Sequence, residues 1–236
     1  MSPWDTEATR HAIERVHGRS QLQLARSCIR SLSDRQFYAR FHFHRADQTL
    51  QRYVRTHLNS QDFFAITLGA DEKEWNRFNV VIRKLGADLV ACVQSLHAIP
   101  DILASAVYYS LNLNAQFQPT PGRFVNHAFV VECLKGNATL SNVRKHLRAA
   151  TSGTQAKHLA ALVNQSKHYS IVFPALTGDL TGKRERQYML AFPQFTSGPK
   201  TYPQVLVAEF LPPVHEQLSK SVVLAGNALN EVLGAA

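Results

Sequence analysis

Between residues 74 and 99 apolar side chains recur every three or four positions, at Phe78, Ile82, Leu85, Leu89, Cys92, Val93 and Leu96. That period is one face of an α-helix laid against a core. Pro100 has no N–H for the helical ladder and predicts a kink, after which helical spacing resumes from Asp101 to Leu113. A loop over 112–122, with Pro119 and Pro121, ends it. Further helices are predicted at about 123–135, 140–150 and 155–168, with Gly136 and the stretch 151–154 as the breaks. Leu140, Val143 and Leu147 are the inward positions of the second of these.

Upstream, residues 5–32 and 34–58 read as two long helices joined at Ser31 to Asp34, with arginines recurring along both. The pattern lapses around 59–70, and Asp71, Glu72 and Glu74 mark the next helix start. After His168 the period shortens to that of strands, predicted at 169–173, 187–192 and 205–211. Pro212 and Pro213 then open a last helix whose core side carries Val214, Leu218, Val222, Leu229 and Leu233. The expected fold class is mainly α, a helical bundle with a small antiparallel β-sheet inserted before the C-terminal helix. Two parts are expected: an N-terminal basic helical hairpin at 1–60, and a helical domain at 71–236 with its β insertion at about 169–211.

At 236 residues and 45% hydrophobic composition the chain is long and apolar enough for a globular core. No uninterrupted apolar run approaches the ~18 to 20 residues that span a bilayer, and no signal-peptide pattern opens the chain, so a soluble cytoplasmic protein with no membrane partner is expected. Cys28, Cys92 and Cys133 are far apart among apolar neighbours and read as buried thiols. The net charge of +9 is uneven: residues 1–60 hold ten arginines against five acids, and Arg144 to His168 hold five Lys or Arg and no acid. Such a balance favours nucleic acid or an acidic protein surface as partner, beside the plainer reading of a solvated basic face.

The basic run closes on Val163, Asn164, Gln165, Ser166, Lys167 and His168. At 100° per residue Lys157, Ala161, Asn164 and His168 share one stripe, opposite Leu159, Leu162, Val163 and Ser166. The chain here resembles the HEPN superfamily of small helical proteins, many of them RNases of bacterial and archaeal defence and toxin systems. In that family an Arg followed by a polar residue, often Asn, precedes a His by five positions at a helix end. Asn164 and His168 match the polar residue and the His, in an Asn-x-x-Lys-His ending, while Val163 stands at the Arg position. The similarity of layout extends over about 71–232.

The resemblance implies a homodimer, a partner protein from the same module, and metal-independent cleavage of RNA with no cofactor. On this sequence it makes His168 the acid or base, Asn164 the positioning group and Lys167 the phosphate partner. Lys157 is a candidate stand-in for the missing guanidinium, although a Lys lacks the bidentate fork, and with Arg144, Lys145 and Arg148 it forms the expected RNA-binding set. Because Val163 removes the phosphate clamp, a non-catalytic RNA- or protein-binding module with a degenerate HEPN site stands as the alternative. Asn164 and His168 also have a purely structural reading, as residues that end a helix.

His97 and Asp101, one turn apart beside Pro100, form a supporting polar pair in which an Asp can fix a His tautomer, or the two simply satisfy one another at the kink. His42, Phe43 and His44 point apart on a helix with no acid or Cys at ligand spacing, so no metal site is expected. Gly178 to Lys183 fails the phosphate-loop spacing and reads as a hairpin tip.

Overall fold

The computed structural model describes residues 2–58, 72–179 and 181–235. Seven α-helices are present among them: α1 (Thr6–His17), α2 (Arg19–His57), α3 (Glu72–Ser110), α4 (His127–Cys133), α5 (Ser141–Ala150), α6 (Gly153–His168) and α7 (Val207–Gly234). The strands β1 (Ala175–Gly178), β2 (Tyr188–Phe192), β3 (Phe195–Ser197), β4 (Lys200–Tyr202) and β5 (Val205–Leu206) lie between α6 and α7. The protein is mainly α, with a small antiparallel sheet ahead of its C-terminal helix.

Chain contacts divide it into two compact units. One comprises Met1–Phe37, Leu96–Lys157 and Val214–Ala236; the other comprises Tyr38–Ser95 and His158–Pro213. In the first, α1 is fastened to α7: Arg15 donates to the Leu233 carbonyl at 2.9 Å, and the Asn230 amide donates to the Asp5 carbonyl at 2.9 Å. The Trp4 ring packs against Gly226, where any Cβ would collide with it. Its buried side chains include Ile13, Ile29, Leu32, Leu103, Leu147 and Leu229.

The second unit holds every strand among the described residues. β2 is central, paired antiparallel with β1 (Leu176 opposite Leu190) and with β5 (Ala191 opposite Leu206), while β3 and β4 form a separate hairpin. Tyr188, Leu190, Ala191 and Phe192 of β2 are buried, as befits a central strand covered on both faces at its C-terminal end.

Several boundaries differ from the sequence expectation. The N-terminal break falls at Gly18, which takes φ +83°, and α2 runs unbroken through Ser31 to Asp34. Burial explains it: Ala25, Ile29, Leu32 and Ala39 keep helical spacing through the expected turn, and Ser31 Oγ bonds back to the Ser27 carbonyl at 2.8 Å. Pro100 lies inside α3, which is helical on both sides of it as the resumed spacing leads one to expect. The expected helix at 123–135 shortens to α4, begun by Asn126, whose side chain accepts the Phe129 N–H at 2.9 Å. Residues 169–173 form no strand. The Phe173 ring there closes on Gly86, and Tyr169 and Ile171 face outward. β5 stops at Leu206 because α7 begins at Val207, five residues before Pro212; burial of Val207, Phe210, Leu211 and Val214 offsets the two N–H groups those prolines withhold. The pattern lapse at 59–70 lies outside the described residues, and α3 starts at Glu72 as its acids suggest.

α3 is the one described helix long and apolar enough to cross a membrane, and half of its most apolar stretch is buried within the protein. Cys92 is buried, which pushes its thiol up to about 12, whereas Cys28 and Cys133 are only partly covered; all three are free.

Candidate functional site

α5 is amphipathic: Val143, Leu147 and Ala150 are buried while Arg144, Lys145 and Arg148 share the outer face at three- and four-residue spacing. With α4 and the turn at Gly136 this face bounds an open groove of about 1020 Å³. The three cations line it together with Asn137, Ser141 and Ser152, and no acidic side chain lines it among the described residues. Arg144 is aimed by a bond from Nε to the Val131 carbonyl at 3.0 Å. Lys145 and Arg148 are exposed and make no ion pair among the described residues.

The walls are held from within the same unit. Asp101 Oδ1 accepts the backbone N–H of His127 at 2.8 Å, and His127 Nε2 lies 2.8 Å from the Leu147 carbonyl, tying α4 to α5. Gln217 on α7 donates to the Ala149 and Ser152 carbonyls at 3.0 Å each, tying α7 to the turn that follows α5. Asp101 thus serves to start α4, and His97, one turn before it, is half-buried and engaged in contacts.

Asn164, Lys167 and His168 lie exposed at the C-terminal end of α6. Among the described residues no hydrogen bond or ion pair orients the His168 ring. Val163 is completely buried, so the position at which the HEPN resemblance expects an Arg faces the interior. Asn164, Lys167 and His168 belong to the second unit; Lys157, Arg144, Lys145, Arg148, His97 and Asp101 belong to the first. Lys157 is exposed three turns before His168 and does not line the groove.

The second unit also contains a charge cluster that sequence reasoning missed. The Asp88 carboxylate of α3, with only 7% of its side chain exposed, accepts two bonds from Arg45 Nε at 2.8 and 2.9 Å and a third from Arg45 Nη2. His42 Nδ1 sits 2.9 Å from the same carboxylate. Burial works against the ionised acid, but Arg45 and His42 more than offset it, holding the Asp88 carboxyl below the usual carboxylate range. The signal was readable: Asp88 falls in the apolar stripe of Leu85, Leu89 and Cys92, and an acid in a core stripe needs a cation facing it. His42 and Arg45, three apart on α2, supply that partner.

Among the described residues no group of three or more His, Cys, Asp or Glu is placed to hold a metal ion. The loop at Gly178 to Lys183 is the tip of the β1–β2 hairpin, with Asp179 accepting the N–H groups of Thr181 and Arg184 at 2.9 and 2.8 Å. Comparison of the chain with protein-family models, with curated proteins and with solved structures returns no match.

Proposed function

We propose that the protein is a non-catalytic RNA-binding helical module. The observation that carries this reading is the groove between α4 and α5, lined by Arg144, Lys145 and Arg148 and by no acid. Three cations on one wall of a concavity repel one another unless a polyanion lies between them and solvent, and phosphates of a single strand are spaced to meet them in turn. Serine and asparagine side chains at the rim supply the hydrogen bonds to phosphate and sugar that position such a strand.

The resemblance to HEPN proteins carries the setting: the cytoplasm of a bacterial cell and a defence or toxin module, with a site whose catalytic role has lapsed. Val163 supports the lapse, since a buried valine leaves no guanidinium to meet a phosphate. A second reading, a metal-independent endoribonuclease, is favoured by the exposure of Asn164, Lys167 and His168 on neighbouring turns, where a substrate would reach all three.

The test incubates a short single-stranded RNA with the protein in EDTA and follows both retention and cleavage. Binding that drops at least tenfold in the Arg144→Gln, Lys145→Gln, Arg148→Gln triple variant, without cleavage, supports the binding module. Cyclic-phosphate ends that disappear with His168→Ala establish the nuclease instead. Retention unchanged in the triple variant removes the groove from the reading.

A further inference from the structure

Among the described residues Phe124 is the most exposed large apolar side chain, at 90%. Its backbone is nonetheless fixed on both sides. The Arg123 N–H donates to the Thr120 carbonyl at 2.9 Å and Gly122 takes φ +81°, so residues 120–123 form a type II turn with Pro121 and Gly122 at the two positions that favour them. Two residues after the ring, the Asn126 side chain caps α4, and Asp101 holds the next N–H, that of His127. A preorganised segment thus displays an aromatic ring to solvent.

The ring's place is beside the groove between α4 and α5. His127, Arg148 and Ser152 line one end of that groove, where His127 Nε2, 2.8 Å from the Leu147 carbonyl, ties the first turn of α4 to the last turn of α5. Phe124 precedes His127 by three residues, a span of at most about 10 Å. Arg123 stands next to it, exposed and without an ion pair among the described residues, and adds a fourth cation to Arg144, Lys145 and Arg148.

We infer that Phe124 is a stacking platform for one base of a single RNA strand whose phosphates follow the groove. A base covers the ring face that water now wets, and the cations alongside take the neighbouring phosphates. A purely apolar partner would cover Phe124 but strand the cations, and an acidic peptide would pair with the cations but leave the ring in water. A duplex keeps its base faces stacked inside and offers the ring nothing. A single strand carries an anion and an unstacked ring on every residue, so it answers both features at once. The inference rests on the groove reading and adds to it a preference for unpaired bases.

The experiment measures binding of the full chain to a short single-stranded RNA and to an abasic oligomer of the same length, which keeps the ribose phosphates and lacks the bases. Phe124→Ala and Phe124→Leu are each expected to weaken the RNA at least about fivefold and to leave the abasic oligomer unchanged, while Phe124→Trp holds the RNA as tightly as wild type or tighter. Because the side chain is exposed, none of the three disturbs the core. The Arg144→Gln, Lys145→Gln, Arg148→Gln triple variant should weaken both probes. RNA binding indifferent to Phe124→Ala, or equal losses on the two probes, overturns the inference, and so does full retention in Phe124→Leu, which marks an apolar contact in place of a stack. Binding that needs the three cations and ignores Phe124 defeats this inference alone, whereas no binding of either probe by the wild type defeats the groove reading and the platform with it.

Discussion

At the scale of single residues, two buried positions set what substitutions will do. Asp88 is ionised in the interior because Arg45 and His42 bond it, so Asp88→Ala leaves two donors without their acceptor and is expected to cost about 2 kcal/mol by urea unfolding. Because the folded pKa of Asp88 lies below the ordinary 3.8, its contribution is present above about pH 4 and is lost as the pH falls further. The difference in stability between wild type and Asp88→Ala should therefore shrink in acid, measured between pH 6 and pH 3. Val163 makes the opposite point. Placing an Arg here by Val163→Arg, as the HEPN pattern has it, would bury a guanidinium among Leu159, Leu162 and their neighbours, and more than about 3 kcal/mol of destabilisation is expected. A folded Val163→Arg protein that cleaves RNA would show that this position reaches the surface after all. The sequence already placed Val163 on the apolar stripe, because helical period is a local property. It did not pair Asp88 with Arg45, because forty-three residues separate them and only the packing of α2 on α3 brings them together.

At the scale of elements, the β3–β4 hairpin is held through His158. The ring is buried against Phe195, Tyr202 and Phe210 at centroid distances of 5.5, 5.2 and 5.0 Å, and its Nε2 has no hydrogen-bond partner among the described residues. Burial, and then Lys200 nearby, lower its pKa below the ordinary 6.5, so the folded protein holds it neutral. The unfolded chain takes up the proton first, and the stability this group contributes above about pH 6.5 is lost as the pH falls below that value. His158→Phe removes both the orphan nitrogen and the titration. Its melting temperature should exceed that of wild type by more at pH 5 than at pH 7.5; equal differences at the two pH values would mean that His158 is solvated. A second element-level dependence joins α1 to α7. Gly226→Ala drives a methyl group into the Trp4 ring, which is expected to free the tryptophan and loosen α1, shifting Trp emission to longer wavelength and costing about 1 to 2 kcal/mol. Helix existence was legible in the sequence, and so were the ends of α5 and the C-terminal end of α6, whereas the break between α1 and α2 and the strand limits were not. Ser31 to Asp34 carry capping residues that the buried spacing of Ile29 and Leu32 overrides, and Tyr169 to Phe173 have strand composition without a neighbouring strand to complete them.

At the scale of the whole molecule, charge and position separate what composition merges. A net charge of +9 predicts affinity for polyanions from any basic surface, and residues 1–60, with ten arginines against five acids, add as much net charge as the run from Arg144 to His168. Several of the former are already committed, Arg10 to Glu7, Arg15 to the Leu233 carbonyl and Arg45 to Asp88. Arg144, Lys145 and Arg148 converge on one concavity that contains no acid. The sequence showed the cluster, since three cations within five residues share a helix face, but the groove beside them depends on α4 packing against α5, which no local pattern encodes. The distinction has a measurable form. Each phosphate neutralised on a single strand contributes about −0.7 to the slope of log K against log salt, so three groove contacts contribute about −2. The Gln triple variant should flatten the slope by that amount, while neutralising three exposed arginines of α2, at Arg26, Arg30 and Arg40, should change it little. Equal flattening by the two sets would mean that RNA samples the whole basic surface, and that the groove is shape without function.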